Sequence, residues 1–157
     1  MKHKYLVLIF ILLISIVGCS QTEENHESHK DEPLGDIREE SSIDELPSFL
    51  DSKPDEMVTI YKAAAAHEDL LKNIPCYCGC ADSVGHKDSY DCFVHERKEK
   101  TIVWDDHGTK CGVCMEIAAT SILEYQNGKS ITEIRNLIDE TYKEGYAEPT
   151  PTPLPKL

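Results

Sequence analysis

Three thiols stand within five residues in Pro75-Cys76-Tyr77-Cys78-Gly79-Cys80, and three more follow at Cys92, Cys111 and Cys114. Soft thiolates, joined by imidazole, select Zn, Cu(I) or an iron–sulfur cluster over Mg or Ca. His86 lies between the first cysteines and Cys92, His95 falls three residues after Cys92, and His107 falls four before Cys111, which are usual ligand spacings. A plain strand through the hexapeptide would put alternate side chains about 6.5 to 7 Å apart. Two sulfurs on one tetrahedral ion, each bonded at about 2.3 Å, must come to about 3.8 Å of one another. The backbone must therefore curl here, and Gly79 gives it the freedom to do so. Cys111-Gly112-Val113-Cys114 stands where a helix is expected to begin, and the free N–H groups and dipole of that end favour thiolate over thiol. The candidate ligands are thus Cys76, Cys78, Cys80, His86, Cys92, His95, His107, Cys111 and Cys114, one more than two tetrahedral ions require.

Two other uses of these cysteines stay open. An exported chain meets an oxidising environment, and each thiol of the hexapeptide could pair with one of Cys92, Cys111 and Cys114 to staple an interaction module of the cell envelope. Disulfides alone leave the crowding of three cysteines and the nearby histidines without a reason, so metal ligation leads. A thiol–disulfide redox role for Cys111 and Cys114 ranks third, because the chain lacks the βαβ pattern of a thioredoxin-like protein. Zn or Cu(I) acquired outside the cell is preferred to an iron–sulfur cluster, since export as an unfolded chain separates the protein from intracellular cluster assembly. Asp105 and Asp106 are expected either to orient His107 or to form a turn. His67 reads as a packed or capping histidine, Met115 as core and Trp104 as the central core aromatic. No nucleophile–base pair, phosphate loop or carboxylate dyad is visible, so the chain is not read as an enzyme.

The hexapeptide, Gly85-His86, Asp91-Cys92-Phe93, His107, Cys111-Gly112-Val113-Cys114 and Ile134-Arg135 together resemble the PCYCGC-motif lipoproteins of Gram-positive bacteria, over roughly residues 75–146. The resemblance implies an exported, lipid-anchored protein with metal binding through its cysteines, and it fixes no activity.

Helices are needed to position these groups. Ser52, Pro54, Asp55 and Glu56 make a helix start, and Met57, Ile60, Tyr61, Ala64 and Leu71 share one face, predicting a helix over Lys53 to Asn73. A second is expected from Gly112 to Gln126, stopped by Asn127-Gly128. A third opens at Ser130 with a capping box to Glu133 and buries Ile131, Ile134, Ile138 and Tyr142. Residues 75–114 hold few large apolar side chains, so irregular Cys/His-rich loops are expected there, with a short extended piece at Thr101 to Trp104. The predicted fold class is mainly α: a small single domain of about three main helices, spanning residues 53–147.

The flanks read differently. Lys2 and Lys4 followed by an apolar run to Val17 form a signal peptide over residues 1–18, too short for a membrane span of about 20 apolar residues. Ile16-Val17-Gly18-Cys19 resembles the lipobox of bacterial lipoproteins, so Cys19 is expected to carry the lipid that holds the chain on the outer face of the membrane. Residues 19–52 carry eleven acidic side chains against Lys30 and Arg38 and are expected to form a disordered, solvated tether. Residues 148–157, with Pro at alternate positions, are expected to be an extended tail. With 29 acidic against 16 basic residues, a net charge of −13, the chain offers no basic face for nucleic acid. Its protein partner is not legible. Replacing Cys19 by Ala is expected to abolish lipid labelling and processing in cells; unchanged labelling of that variant refutes the anchor.

Overall fold

Trp104, Tyr61 and Phe93 meet at the centre of the fold, and the rest is arranged around them. The computed structural model describes residues 35–155. Tyr61 packs edge-on against Phe93 at 5.0 Å and against Phe49 at 5.8 Å between ring centroids, with Trp104 tilted beside it. All but Phe49 are almost fully buried. Trp104 lies on strand β3, Thr101–Asp105, which turns Ile102 and Trp104 inward by the two-residue alternation of a strand.

Strand β3 is the middle of a three-stranded antiparallel sheet. It pairs on one side with β2, Val94–Arg97, and on the other with β1, Arg38–Ser42. This corrects the expected mainly α fold of about three helices. Among the described residues there are five α-helices and this sheet, a mixed α/β unit. Strand β1 has the sequence Arg-Glu-Glu-Ser-Ser, which shows no apolar alternation, and it lies inside the stretch expected to be a solvated tether. Its order comes from its partners. Ser41 Oγ accepts the indole N–H of Trp104 at 2.9 Å, Glu40 takes Thr101 Oγ1 and Lys98, and the Ile37 and Asp106 backbones are joined at 3.0 Å. A 3-10 turn at Ser48–Leu50 then buries Leu50. Residues 1–34, which include the expected signal segment, Cys19 and the start of the tether, lie outside the described residues.

The first predicted helix exists as two. Helix α1, Asp55–Ala66, and helix α2, Glu68–Leu71, are separated at His67, whose backbone leaves the helical region at φ −117° and ψ 41°. The Nδ1–H of His67 donates to Ala63 O at 2.7 Å, a capping role of the kind expected for it. The break lets Leu70, Leu71 and Ile74 turn into the core. Helix α3, Cys80–Val84, is a short turn between Gly79 and Gly85, both at positive φ. Helix α4, Gly112–Gln126, has the predicted bounds, and helix α5, Ile131–Tyr142, begins with the predicted capping box between Ser130 and Glu133. No helix among the described residues is long and apolar enough to cross a membrane.

The proline-rich end packs on the domain. Thr150 N–H donates to Cys76 O, and Cys76 N–H donates to Thr150 Oγ1, both at 2.9 Å. Thr152 Oγ1 donates to Lys87 O at 2.8 Å, so the 2.8 Å contact between the two threonine hydroxyls uses the proton of Thr150. Arg135 reaches the carbonyl of Pro153 at 3.2 Å. The end of the chain is thereby paired with the first cysteine of the hexapeptide.

Tyr61 links the core to the candidate ligands. Its buried hydroxyl donates to Asp105 O at 2.9 Å and accepts the N–H of Thr109 at 3.1 Å, on either side of His107. Gly108 lies against the same rings: a Cβ there would fall 2.7 Å from Phe93 and 2.9 Å from the Tyr61 hydroxyl. Tyr61→Phe takes the hydroxyl donor from the buried carbonyl of Asp105, while Thr109 N–H keeps its 2.9 Å bond to Asp106 O, and is expected to cost about 1 to 3 kcal/mol. Denaturant unfolding should show a lower midpoint at unchanged slope. An unmoved midpoint contradicts this role.

Candidate metal centre

The hexapeptide curls as its sulfurs require. Gly79, at φ 87°, reverses the chain just before α3, and Cys76 and Cys78 bring their Sγ atoms to 3.4 Å although two residues apart. From the other side of the fold, α4 delivers Cys111 and Cys114. Cys111 is the N-cap of that helix, its sulfur accepting the N–H of Cys114 at 3.5 Å. Cys114 Sγ stands 3.4 Å from Cys76 and 3.5 Å from Cys78. Cys92, in the turn between Tyr90 and Val94, puts its sulfur 3.8 Å from Cys80. These separations are close to the edge of a tetrahedron of thiolates on one ion, about 3.8 Å. All six cysteines among the described residues are free thiols.

Two histidines complete the cluster. His107 begins the 3-10 turn His107–Lys110 and places Nε2 3.6 Å from Cys78 Sγ. Its Nδ1 lies 3.0 and 3.1 Å from the carboxylate oxygens of Asp36, which can only accept, so Nδ1 carries the proton and Nε2 faces the sulfurs. A carboxylate behind a ligating imidazole fixes its tautomer and raises its basicity. His86, just after Gly85, is 4 % exposed, and neither ring nitrogen has a hydrogen-bond partner. A buried imidazole with both nitrogens unsatisfied is costly in a protein interior, and a metal ion would relieve it. Its ring meets that of His107 at 4.8 Å, with Asp36 and Asp105 at 3.6 and 3.7 Å from Nε2.

The donor atoms form two overlapping groups of four, each with all members within 4.8 Å of one another. One holds Cys78, His107, Cys111 and Cys114; the other holds Cys80, His86, Cys92 and His107. Cys76 touches both, within 4.8 Å of Cys78 and Cys80 and of Cys92 and Cys114. His95, also a candidate by spacing, is exposed on β2 and belongs to neither group. A histidine three residues from a cysteine shares its surroundings only on a helix or a tight loop; here a strand begins at Val94, and the side chain faces solvent.

The electrostatics suit a cation. Burial opposes the charged form of His107, but the sulfurs of Cys111 and Cys78 and the Asp36 carboxylate outweigh it and push its pKa up to about 11. The thiols pull one another apart. Hydrogen bonding from Cys114 lowers Cys76 to about 4, and contacts with Cys111 and Cys114 lower Cys78 strongly. Cys80 is raised by Cys76, Cys92 by Cys114, and Cys114 by Cys111. Touching thiols cannot all ionise beside one another; a metal cation supplies the charge that lets them do so.

Sequence reasoning missed Asp36. It stands in an acidic run without local signal, and only the pairing of β1 brings it beneath His107. Asp105 and Asp106, expected either to orient His107 or to turn the chain, divide the work. Asp105 Oδ1 accepts the backbone N–H of His107 at 3.0 Å and its other oxygen takes Arg38 at 3.1 Å. Asp106 holds the N–H of Ile37 at 2.7 Å and Lys110 at 2.9 Å, which fixes the segment carrying Asp36.

The chain belongs to the family described as protein of unknown function with PCYCGC motif, whose model matches residues 7–155. No curated protein and no solved structure matches it.

Asp36→Asn keeps the size of the side chain and removes the charge behind His107. Loss of such a partner typically costs about 10- to 100-fold in metal affinity. Competition against a chelator should show that loss with the fold intact by circular dichroism, whereas His95→Ala should leave affinity unchanged. Equal affinities for Asp36→Asn and the parent protein remove Asp36 from the site.

Proposed function

We propose, taking membership of this family as the premise, that the chain is an extracytoplasmic lipoprotein that binds a thiophilic ion, Zn or Cu(I), through its Cys/His cluster. Lipid on Cys19 anchors it to the outer face of a Gram-positive cell membrane, and the cluster serves binding, storage or delivery of the ion. The observation that carries the metal reading is the meeting of free sulfurs at 3.4 to 3.8 Å with a buried His86 whose ring nitrogens have no hydrogen-bond partner.

The chemistry follows from the ligands. A soft ion takes thiolate and imidazole and displaces their protons, so occupancy falls as the medium is acidified. Cys78 and Cys111 are the half-buried thiols of the cluster and His107 is half-buried beside them, whereas Cys76, Cys80, Cys92 and Cys114 are enclosed. An ion therefore enters and leaves on the side of Cys78 and Cys111. Asp36 holds Nδ1 of His107 so that Nε2 stays aimed at that opening. Cys78 and His107, whose Sγ and Nε2 lie 3.6 Å apart, are read here as ligands of one ion, and the protein as a binder.

The test is metal content together with a count of free thiols, on protein isolated from its native compartment. Bound Zn or Cu should be released on denaturation at low pH, and the domain cysteines should then titrate without reductant. Protein that releases no metal and shows no thiol until reductant is added overturns the metal reading and leaves a disulfide-stapled domain.

A further inference from the structure

We infer that the cluster holds two thiophilic ions with different roles, an enclosed inner ion that braces the fold and an outer ion that exchanges. The inference rests on the metal reading above and adds number, ligand partition and lability to it.

Counting begins from the two groups of four donors, which share only His107. His107 serves one ion, because Asp36 occupies its Nδ1 and its Nε2 faces Cys78. The outer ion is therefore held by Cys78, Cys111, Cys114 and His107. Cys80, Cys92 and His86 are left as three donors of a second site that needs a fourth. Cys76 is the one remaining thiol of the domain, and it lies within 4.8 Å of both Cys80 and Cys92. It completes the inner site. Since its sulfur is also 3.4 Å from Cys78 and from Cys114, it lies against the outer ligands as well.

A single ion does not account for this arrangement. It would use four of the eight donors, and if it sat in the outer group it would leave His86 buried with two unsatisfied nitrogens among closed-in thiols. If it sat in the other group, on Cys80, His86, Cys92 and His107, the N-capping Cys111 and the touching sulfurs of Cys76, Cys78 and Cys114 would be left without a cation. Each site combines three thiolates with one neutral imidazole, so a divalent ion leaves one negative charge on each. Arg38 on Asp105 and Lys110 on Asp106 stand beside the cluster on the side of the two histidines.

Burial separates the roles. Cys76 and Cys92 are 0 % exposed, Cys80 1 % and His86 4 %, so the inner ligands are all but closed off from solvent. The outer site includes Cys78 and Cys111, both half-buried. Incoming thiol or chelator can reach the outer ion while the fold stays closed over the inner one. Exchange through the open side is the behaviour that storage or delivery requires, and the inner ion supplies cross-links to a loop region poor in aliphatic side chains.

The experiment uses the lipid-free full chain after its signal segment, loaded with Zn2+ under reducing conditions, with native mass spectrometry for stoichiometry and a chromogenic chelator for release. Two Zn2+ per chain are expected, one leaving promptly to the chelator and the other only when the protein is unfolded. Cys111→Ser should lower the count from two to one and abolish the prompt phase. His86→Ala should disturb the slow ion; if that variant fails to fold, the stoichiometry and phases of the parent protein and Cys111→Ser decide. Saturation at one Zn2+ overturns this inference and leaves the metal reading standing. Two ions released in a single phase overturn the division into inner and outer sites. A chain that takes up no Zn2+ with its thiols reduced removes the zinc-binding basis of both readings.

Discussion

Six sulfurs and two imidazoles held within reach of one another are the constraint on which the rest of the molecule depends. Their mutual repulsion once ionised, and the exclusion of water from four of the thiols, make the arrangement one that needs positive charge at its centre. Each neighbouring element has a part in holding it together. Gly79 reverses the hexapeptide, α4 presents Cys111 and Cys114 from its first turn, and the aromatic core of Tyr61, Phe93 and Trp104 supports the turn that carries His107.

The sheet is best understood from the same viewpoint. Strand β3 ends in Asp105, two residues before His107, and β1 begins two residues after Asp36. Pairing of β1 with β3 is therefore what sets a carboxylate behind an imidazole. The acidic character of β1, which would keep an isolated segment solvated, is accommodated at a sheet edge, where Glu40 faces Lys98 and Glu39 accepts from Ser48. Charged residues on such an edge also discourage pairing with another chain.

What was legible in the sequence follows how local its cause is. The bounds of α4 and the Ser130–Glu133 capping box are short-range features, and both were readable. So was the curl at Gly79, because the spacing of thiols on a tetrahedral ion forbids an extended backbone there. His86 and His107 lie within the group of cysteines. His95 does not, since spacing alone says nothing about which side of a strand a residue takes. Strand β1, the break at His67 and the role of Asp36 depend on partners more than sixty residues away or on packing in the core, and no local pattern announces them. The helical fold was overstated for that reason: the described strands are short, and β1 and β2 are mostly charged and polar, with Val94 their one β-branched residue.

The contact between Cys76 and Thr150 has a kinetic side. It joins residues separated by 74 positions, and that between His107 and Asp36 joins residues separated by 71. Contacts of such long sequence separation bear the cost of closing large loops before they return any stabilisation, and they slow folding accordingly. The cluster is complete only once both flanks have reached it, and a chain shortened at either flank would retain every thiol of the cluster and still assemble them poorly.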